Sequence, residues 1–187
     1  MNVYETICRE IDARLEKGQA VRLLLDGPCA TGKTTLAAKL GDAYDAPVIH
    51  MDDFYVPWKE KTPERLSLPG GNADWERFLA EVTEPMLSGG PIVYRPFLPR
   101  TQTLGEPVTV EVGRLTIIEG AYACHERLRH GGNLKVKINC SADVRLRRLR
   151  LRDPEHYPDF LKLWIPLENL YFSEMAPDDV FDLVLDA

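Results

Sequence analysis

One glycine-rich turn constrains the fold of this chain more than any other feature. Residues 27–34 read GPCATGKT and lie between a mostly apolar run at residues 21–25, which predicts a buried strand, and a helical pattern at residues 33–40. A second apolar run follows at residues 47–50. A strand, a tight turn, a helix and a further strand make a βαβ unit, in which the strands are parallel and helices cover both faces of the sheet. The turn therefore predicts an α/β fold.

The rest of the chain supplies more elements for the same sheet. An opening helix is predicted from Val3, Ile7, Ile11 and Leu15, which recur every fourth residue. Further strands are predicted at residues 92–94, 109–112, 115–118, 134–139 and 181–185, and further helices at residues 75–86, 143–152 and 160–172. The fold class is a three-layer α/β/α arrangement around a mostly parallel sheet of about five strands. We expect one domain over residues 1–187, with an insertion around residues 54–75 and a small lid around residues 145–160.

Composition excludes several classes of protein. The chain has 23 Lys and Arg against 29 Asp and Glu, a net charge of −6, so it has no general attraction for nucleic acid or anionic membranes. The four cysteines form no CxxC pair, which fits reduced thiols. No segment has the roughly 20 apolar residues of a membrane span. We expect a soluble cytoplasmic protein with neither nucleic acid nor membrane as a partner, in which any bound anion is held locally.

The glycine-rich turn matches the Walker A pattern, with the strand before it and the helix after it that this pattern requires. It indicates the P-loop NTPase fold and a site for ATP and Mg²⁺. Backbone N–H groups and the positive end of the helix would face the phosphates, Lys33 would reach the outer phosphates, and the Thr34 hydroxyl would ligate Mg²⁺. The residues predicted to bind ATP are Gly27, Ala30, Thr31, Gly32, Lys33, Thr34 and Thr35.

Acidic residues follow two of the predicted strands. Asp52 and Asp53 come after residues 47–50, and Glu119 comes after residues 115–118, so all three are expected at the edge of the sheet where α/β folds bind ligands. A kinase uses one carboxylate to orient or deprotonate the acceptor hydroxyl and another to hold Mg²⁺. Asp52 suits the first role and Glu119 the second, although the two could exchange roles. The alternative is that Asp52 or Asp53 caps a turn and Glu119 is solvated.

Five arginines fall between residues 145 and 152. Arg145, Arg148 and Arg152 have the spacing that places them on one face of a helix. Guanidinium groups stabilise the charge on a transferring phosphoryl group, which makes these three candidate catalytic residues together with Lys33 and Asp52. The alternatives are a solvated basic face or an RNA-binding stripe, and the acidic chain disfavours RNA.

Taken together, these segments resemble the uridine kinase-like P-loop kinases over nearly the whole chain. The matching segments are LLLDGPCATGKTTLA, HMDDFY at residues 50–55, LTIIEGAY at residues 115–122 and RLRRLRLRD at residues 145–153. The resemblance implies transfer of the γ-phosphate of ATP to a hydroxyl of a nucleoside-like small molecule. It implies that Asp52 is the base, that Glu119 is the acid of the EG pair, and that the three arginines belong to the lid.

The resemblance also implies an acceptor site. Asp74, in the segment GGNADW, corresponds to the ribose-binding Asp of the family, with a helix N-cap as the alternative. The other residues predicted to bind substrate are Asp53, Tyr55, Tyr94 and Glu119. The His that follows the base-pocket Tyr in uridine kinases is missing after Tyr94, which leaves open a kinase for a non-nucleoside metabolite. An ATP-binding regulatory switch without an acceptor is the other alternative, and a homo-oligomer is left open.

Overall fold

A five-stranded parallel sheet lies at the centre of the molecule, and the computed structural model describes residues 2–187. The strands are β1 (Val21–Asp26), β2 (Val48–His50), β3 (Ile92–Tyr94), β4 (Phe97–Leu98), β5 (Thr103–Leu104), β6 (Val108–Val110), β7 (Leu115–Glu119), β8 (Leu134–Asn139) and β9 (Leu183–Asp186). The helices are α1 (Val3–Leu15), α2 (Lys33–Tyr44), α3 (Pro63–Leu66), α4 (Trp75–Phe78), α5 (Glu84–Ser88), α6 (Ala142–Arg152), α7 (Tyr157–Asp159) and α8 (Ile165–Glu174).

The strand order of the main sheet is β2-β7-β1-β8-β9, and every neighbouring pair is parallel. The prediction of a parallel sheet of about five strands is therefore confirmed. β1 takes the middle position, and all five residues of β7 beside it are buried. Since the strands run in one direction, the turns after β1, β2 and β7 meet at one edge of the sheet.

Helices cover both faces of the sheet, as the three-layer prediction requires. Side chains alternate along a strand, so Leu23 and Leu25 of β1 pack on one face with Ile11 of α1 and Leu40 of α2. Leu24 points to the other face, where it joins a second core cluster. That cluster includes Ile49, Phe54, Phe78, Val82, Ile118, Tyr122 and Tyr171.

Two predicted helices are present but contain a wider turn that the periodicity did not reveal. A π-helical turn at Leu79–Thr83 joins α4 to α5, and another at Phe160–Trp164 joins α7 to α8. In both cases a proline, Pro85 or Pro166, follows the wide turn two residues later. A proline ring clashes with the carbonyl four residues earlier, and a wide turn relieves that clash.

The segments between these elements form an insertion and two small ribbons. The insertion around residues 54–75 contains α3 and is closed by a bridge between Tyr55 and Ala73. β3 pairs with β6 and β4 pairs with β5, in two small antiparallel ribbons. The predicted strand at residues 109–112 is displaced by one residue or two, to β6. Among residues 2–187, the helices are all too short or too polar to cross a lipid bilayer.

Candidate active site

The loop between β1 and α2 leaves a row of backbone donors free. Gly27 has a φ of +143°, and a Cβ at that position would collide with the carbonyl oxygen of Ile138, so only glycine fits there. Within residues 2–187, none of the backbone N–H groups of residues 30–34 donates a hydrogen bond to a protein acceptor. These donors lie at the N-terminus of α2, where the helix dipole is positive. The loop is built to receive an anion.

Lys33 lies folded over this loop. The residue is only 6% exposed, and its Nζ donates to the carbonyl oxygen of Pro28 at 2.9 Å. The hydroxyl of Thr31 donates to the same oxygen at 3.0 Å. The ammonium group is thus held within the turn that the free N–H groups line.

Asp26, which sequence reasoning missed, ties the loop to the protein core. Its carboxylate is fully buried and accepts hydrogen bonds from the N–H of Gly27 at 2.7 Å, the N–H of Cys124 at 2.8 Å and the hydroxyl of Tyr171 at 2.7 Å. Burial raises the pKa of Asp26, and the three donors oppose that rise. The available signal was an acidic residue at the end of a strand that is apolar except for Arg22, VRLLLD.

Glu168, on α8, is a second buried acid that sequence reasoning missed. Its two carboxylate oxygens accept the N–H of Cys29 at 3.1 and 3.0 Å, and one of them accepts a hydrogen bond from Nη2 of Arg145 at 3.1 Å. Nε of Arg145 donates to the carbonyl oxygen of Cys29 at 3.1 Å. Burial raises the pKa of Glu168, while the Cys29 N–H and the charges of Lys33 and Arg145 lower it. No local signal marks this residue, because its partners are distant in sequence.

The arginine helix α6 packs beside the loop. Nη1 of Arg148 donates to the carbonyl oxygens of Ala30 and Thr31, both at 3.2 Å. A surface cavity of about 1230 Å³ is lined by loop residues including Gly32 together with Arg148 and Arg152. The structure therefore brings Arg145 and Arg148 onto the loop and leaves Arg152 at the cavity wall.

Glu119, at the end of β7, lies at the start of α2. One carboxylate oxygen accepts a hydrogen bond from the hydroxyl of Thr34 at 3.3 Å, and the other lies 2.6 Å from Nδ1 of His50. His50 and Glu119 are register partners on β2 and β7. The hydrogen bond to Glu119 raises the pKa of His50 against the opposing effect of burial, and the charges of Asp53 and Asp52 add to the rise. His50 was not a predicted site residue.

Asp52 and Asp53 lie on a 3-10 turn directly after β2. Asp52 is exposed, and the hydroxyl of Tyr55 donates to its carboxylate at 3.0 Å. Asp53 is half-buried and accepts a hydrogen bond from the hydroxyl of Tyr94 at 3.1 Å. Burial raises the pKa of Asp53, and the hydrogen bond from Tyr94 opposes the rise. Of these two carboxylates, that of Asp52 is the more open to solvent.

Asp74 caps a helix in this structure. Its carboxylate accepts the N–H of Arg77 at 3.2 Å and a hydrogen bond from Nε of Arg77 at 3.1 Å, at the start of α4. The helix N-cap, which was the alternative interpretation of Asp74 from the sequence, therefore accounts for its contacts. A role of Asp74 in acceptor binding stays a prediction. Trp75 stacks on His125, with the ring centroids 5.5 Å apart.

The oxygen atoms at Thr34 and Glu119 suit Mg²⁺. This cation prefers oxygen ligands and keeps several waters and phosphate oxygens, so one or two protein ligands suffice. A hydroxyl and a carboxylate 3.3 Å apart supply that set. A cluster of three or more His, Cys, Asp or Glu side chains suited to a metal does not occur in residues 2–187.

Comparison with known proteins places this site in a familiar fold, although no protein-family model matches the chain. Uridine-cytidine kinase D of Dictyostelium discoideum is 27% identical over 133 residues, which is 70% of this chain and 26% of that protein. The chain therefore spans about a quarter of that relative's length.

Solved structures match the chain over nearly its whole length. A structure from Silicibacter sp. TM1040, provisionally assigned as a fructose transport system kinase, has a TM-score of 0.79 at 20% identity and covers 98% of this chain and 99% of its own. A structure from Bacillus stearothermophilus, provisionally assigned as a uridine kinase, has a TM-score of 0.71 at 19% identity and covers 97% and 100%. The fold is that of the P-loop kinases, and the resemblance to their uridine kinase-like branch is confirmed.

Proposed function

We propose that this chain is an ATP-dependent phosphotransferase that moves the γ-phosphate of ATP to a hydroxyl of a nucleoside-like small molecule. The observation that carries the proposal is the junction of three strand ends. There, the free N–H groups of the loop after β1, the Thr34–Glu119 contact at β7 and the open carboxylate of Asp52 after β2 lie at one edge of the sheet. Phosphate binding, a place for Mg²⁺ and a proton acceptor are thereby supplied together.

The loop and its basic residues would bind and orient the nucleotide. The N–H groups of residues 30–34 would donate to phosphate oxygens, and Lys33 would exchange the carbonyl of Pro28 for a phosphate oxygen. Arg148 would exchange the carbonyls of Ala30 and Thr31 in the same way. Mg²⁺, bound to Thr34 and Glu119, would neutralise charge on the phosphates. Lys33 and Arg148 already contact the loop, so each side chain needs to move only a little.

Asp52 would accept the proton of the attacking hydroxyl. Its carboxylate is exposed, whereas Asp53 is half-buried and bonded to Tyr94, so Asp52 is the acid that an acceptor can reach. The Tyr55 hydroxyl, at 3.0 Å, holds the Asp52 side chain in place. His50 would keep the Glu119 carboxylate oriented toward Thr34. General-base catalysis of this kind contributes about 10²- to 10⁴-fold in rate.

A nucleoside-like acceptor is supported by the segment matches and by the similarity to a protein named uridine-cytidine kinase D. The similarity to a structure provisionally assigned as a fructose transport system kinase adds sugars to the acceptors that deserve testing. Nucleosides and sugars are both hydroxyl-bearing small molecules, and Asp52 in the same position would accept the hydroxyl proton of either.

The test is phosphate transfer to a pool of nucleosides, sugars and other alcohols, read by mass spectrometry as the gain of one phosphoryl group. We expect Asp52→Asn to lower the turnover rate by about 10²-fold or more and to leave ATP affinity unchanged, since the Asp52 carboxylate is hydrogen-bonded to Tyr55 and not to the loop. Asp42→Asn, an exposed residue of α2, is the matched control. Full activity of Asp52→Asn removes Asp52 from the role of base. ATP hydrolysis without any acceptor, or ATP binding without transfer to any acceptor, contradicts the kinase proposal and favours a regulatory switch.

A further inference from the structure

A lysine surrounded by aromatic rings lies in the insertion around residues 54–75. The Nζ of Lys61 is 4.7 Å from the ring centroid of Trp58, 4.5 Å from that of Trp164 and 5.7 Å from that of Tyr55. The two tryptophan rings are themselves 5.5 Å apart. We call these four residues the lysine cage. Trp164 comes from the π-helical turn before α8, so the cage joins the insertion to that helix.

The ammonium group of the cage has aromatic faces around it but no anion. Within residues 2–187, no carboxylate lies within ion-pair distance of Lys61, and no oxygen accepts a hydrogen bond from its ammonium group. The neighbouring Glu60 pairs with Lys59 instead, at 3.7 Å. Burial lowers the pKa of Lys61 to about 8. A partly desolvated ammonium with three unused N–H donors gains most from a bound anion, because a charge-assisted hydrogen bond replaces the water it has lost.

The cage adjoins the proposed base. Tyr55 belongs to both, since its hydroxyl donates to Asp52 at 3.0 Å while its ring faces Lys61. On the other side, Trp164 lies four residues before Glu168, which holds the phosphate-binding loop through Cys29. Through Tyr55, the lysine cage therefore borders the carboxylate that the hydroxyl of the proposed acceptor would approach.

We propose that the lysine cage binds an anionic group of the acceptor, a carboxylate or a phosphate, and that the preferred acceptor is consequently an acidic alcohol. The inference rests on the proposed function and narrows its substrate class. The charges that face the acceptor have opposite signs at its two ends, with Asp52 and Asp53 near the hydroxyl and Lys61 near the anion. This polarity fixes the orientation of the acceptor, because a reversed acceptor would place its anion against the two aspartates.

The experiment compares matched neutral and anionic alcohols. Uridine is paired with orotidine, sorbitol with gluconate, and glycerol with both glycerate and glycerol 3-phosphate, which separates carboxylate from phosphate. Dissociation constants are measured by calorimetry in the presence of Mg²⁺ and a non-hydrolysable ATP analogue, and turnover is measured with ATP. We expect the anionic member of at least one pair to bind at least about tenfold more tightly, which corresponds to about 1.4 kcal/mol.

Three variants test whether Lys61 causes that preference. Lys61→Gln should abolish the preference for the anionic alcohol, and Lys61→Arg, which keeps the positive charge, should retain it. Lys59 is an exposed lysine two residues away, and Lys59→Gln should leave the preference unchanged. In the unmodified protein the preference should fall as the pH rises through about 8, where free Lys61 loses its proton. The neighbouring Tyr55 has a pKa raised well above its ordinary value by burial, so it does not mimic the effect.

The outcomes separate this inference from the proposed function. Equal binding of neutral and anionic members, an undiminished preference in Lys61→Gln, or no binding by any member overturns the inference. Phosphorylation of neutral acceptors with an unchanged Lys61→Gln rate overturns it while supporting the kinase. Lysine-dependent binding of an anionic alcohol without phosphate transfer supports the inference and overturns the kinase.

Discussion

Replacing Glu168 by Gln should destabilise the protein and loosen the phosphate-binding loop at the same time. The side chains of Glu168 and Arg145 are 7% and 12% exposed, and their contact at 3.1 Å is a buried ion pair. Removing one partner leaves the other charge buried without compensation, which costs about 3–5 kcal/mol. The Gln side chain keeps the shape of Glu and one oxygen that can still accept the Cys29 N–H. Burial also makes the carboxylate itself costly, as the raised pKa of Glu168 shows.

Because the Gln side chain keeps one hydrogen bond and removes a costly buried charge, we expect the free energy of unfolding to fall by about 3 kcal/mol, the lower end of the range for a broken buried ion pair. Urea unfolding measures it directly. With a denaturant dependence of about 2 kcal/mol per molar urea, the midpoint should fall by about 1.5 M. Glu174→Gln, on an exposed residue at the end of the same helix, should change stability by less than about 0.5 kcal/mol.

A chemical readout distinguishes loss of the charge from general destabilisation. The pKa of Cys29 is raised to about 11, first by burial and then by the negative charge of Glu168. Glu168→Gln should therefore lower the pKa of this thiol and speed its alkylation by iodoacetamide, followed by peptide mapping. The combined Arg145→Met and Glu168→Leu variant should lose less stability than Glu168→Gln, because no unpaired charge remains. Stability of Glu168→Gln equal to that of Glu174→Gln, or an unchanged alkylation rate of Cys29, would refute the reasoning.

Two further predictions concern backbone strain and pH. Gly27→Ala should lower the free energy of unfolding by about 3 kcal/mol or more, because the added Cβ meets the carbonyl of Ile138 at a φ of +143°. Gly89→Ala, with a φ of +73° and open space around it, should lower it by only about 1 kcal/mol. Equal urea midpoints for the two variants would contradict this prediction. Burial lowers the pKa of His125 from 6.5 to about 4, so the unfolded chain binds the proton more readily. Stability is then complete above about pH 6.5 and should fall by about 2–3 kcal/mol as the pH drops to 4. His125→Gln should remove that part of the slope in unfolding curves recorded across this range.

The order of strands and helices could be predicted from local patterns. β1, α2, β2 and β7 each have a pattern of apolar residues that is typical of their secondary structure, because those residues are buried in the core. Position 27 requires glycine, because other residues avoid its backbone conformation. The two π-helical turns were not predictable from periodicity, because the apolar stripe of each helix continues through the turn. The cause of each turn is the clash between a proline ring and an earlier backbone carbonyl, which periodicity does not report.

Within the site, local sequence determined the glycine-rich loop after β1 and the acids at the strand ends, because a short motif and the end of a strand are features of consecutive residues. Only the tertiary structure decided which side chains meet. Tyr171 reaches Asp26, Glu168 reaches Cys29, and Trp164 reaches Lys61 across more than a hundred residues of chain. These contacts depend on how α8 packs against the loop and the insertion, and helix packing is set by the whole core rather than by neighbours in sequence.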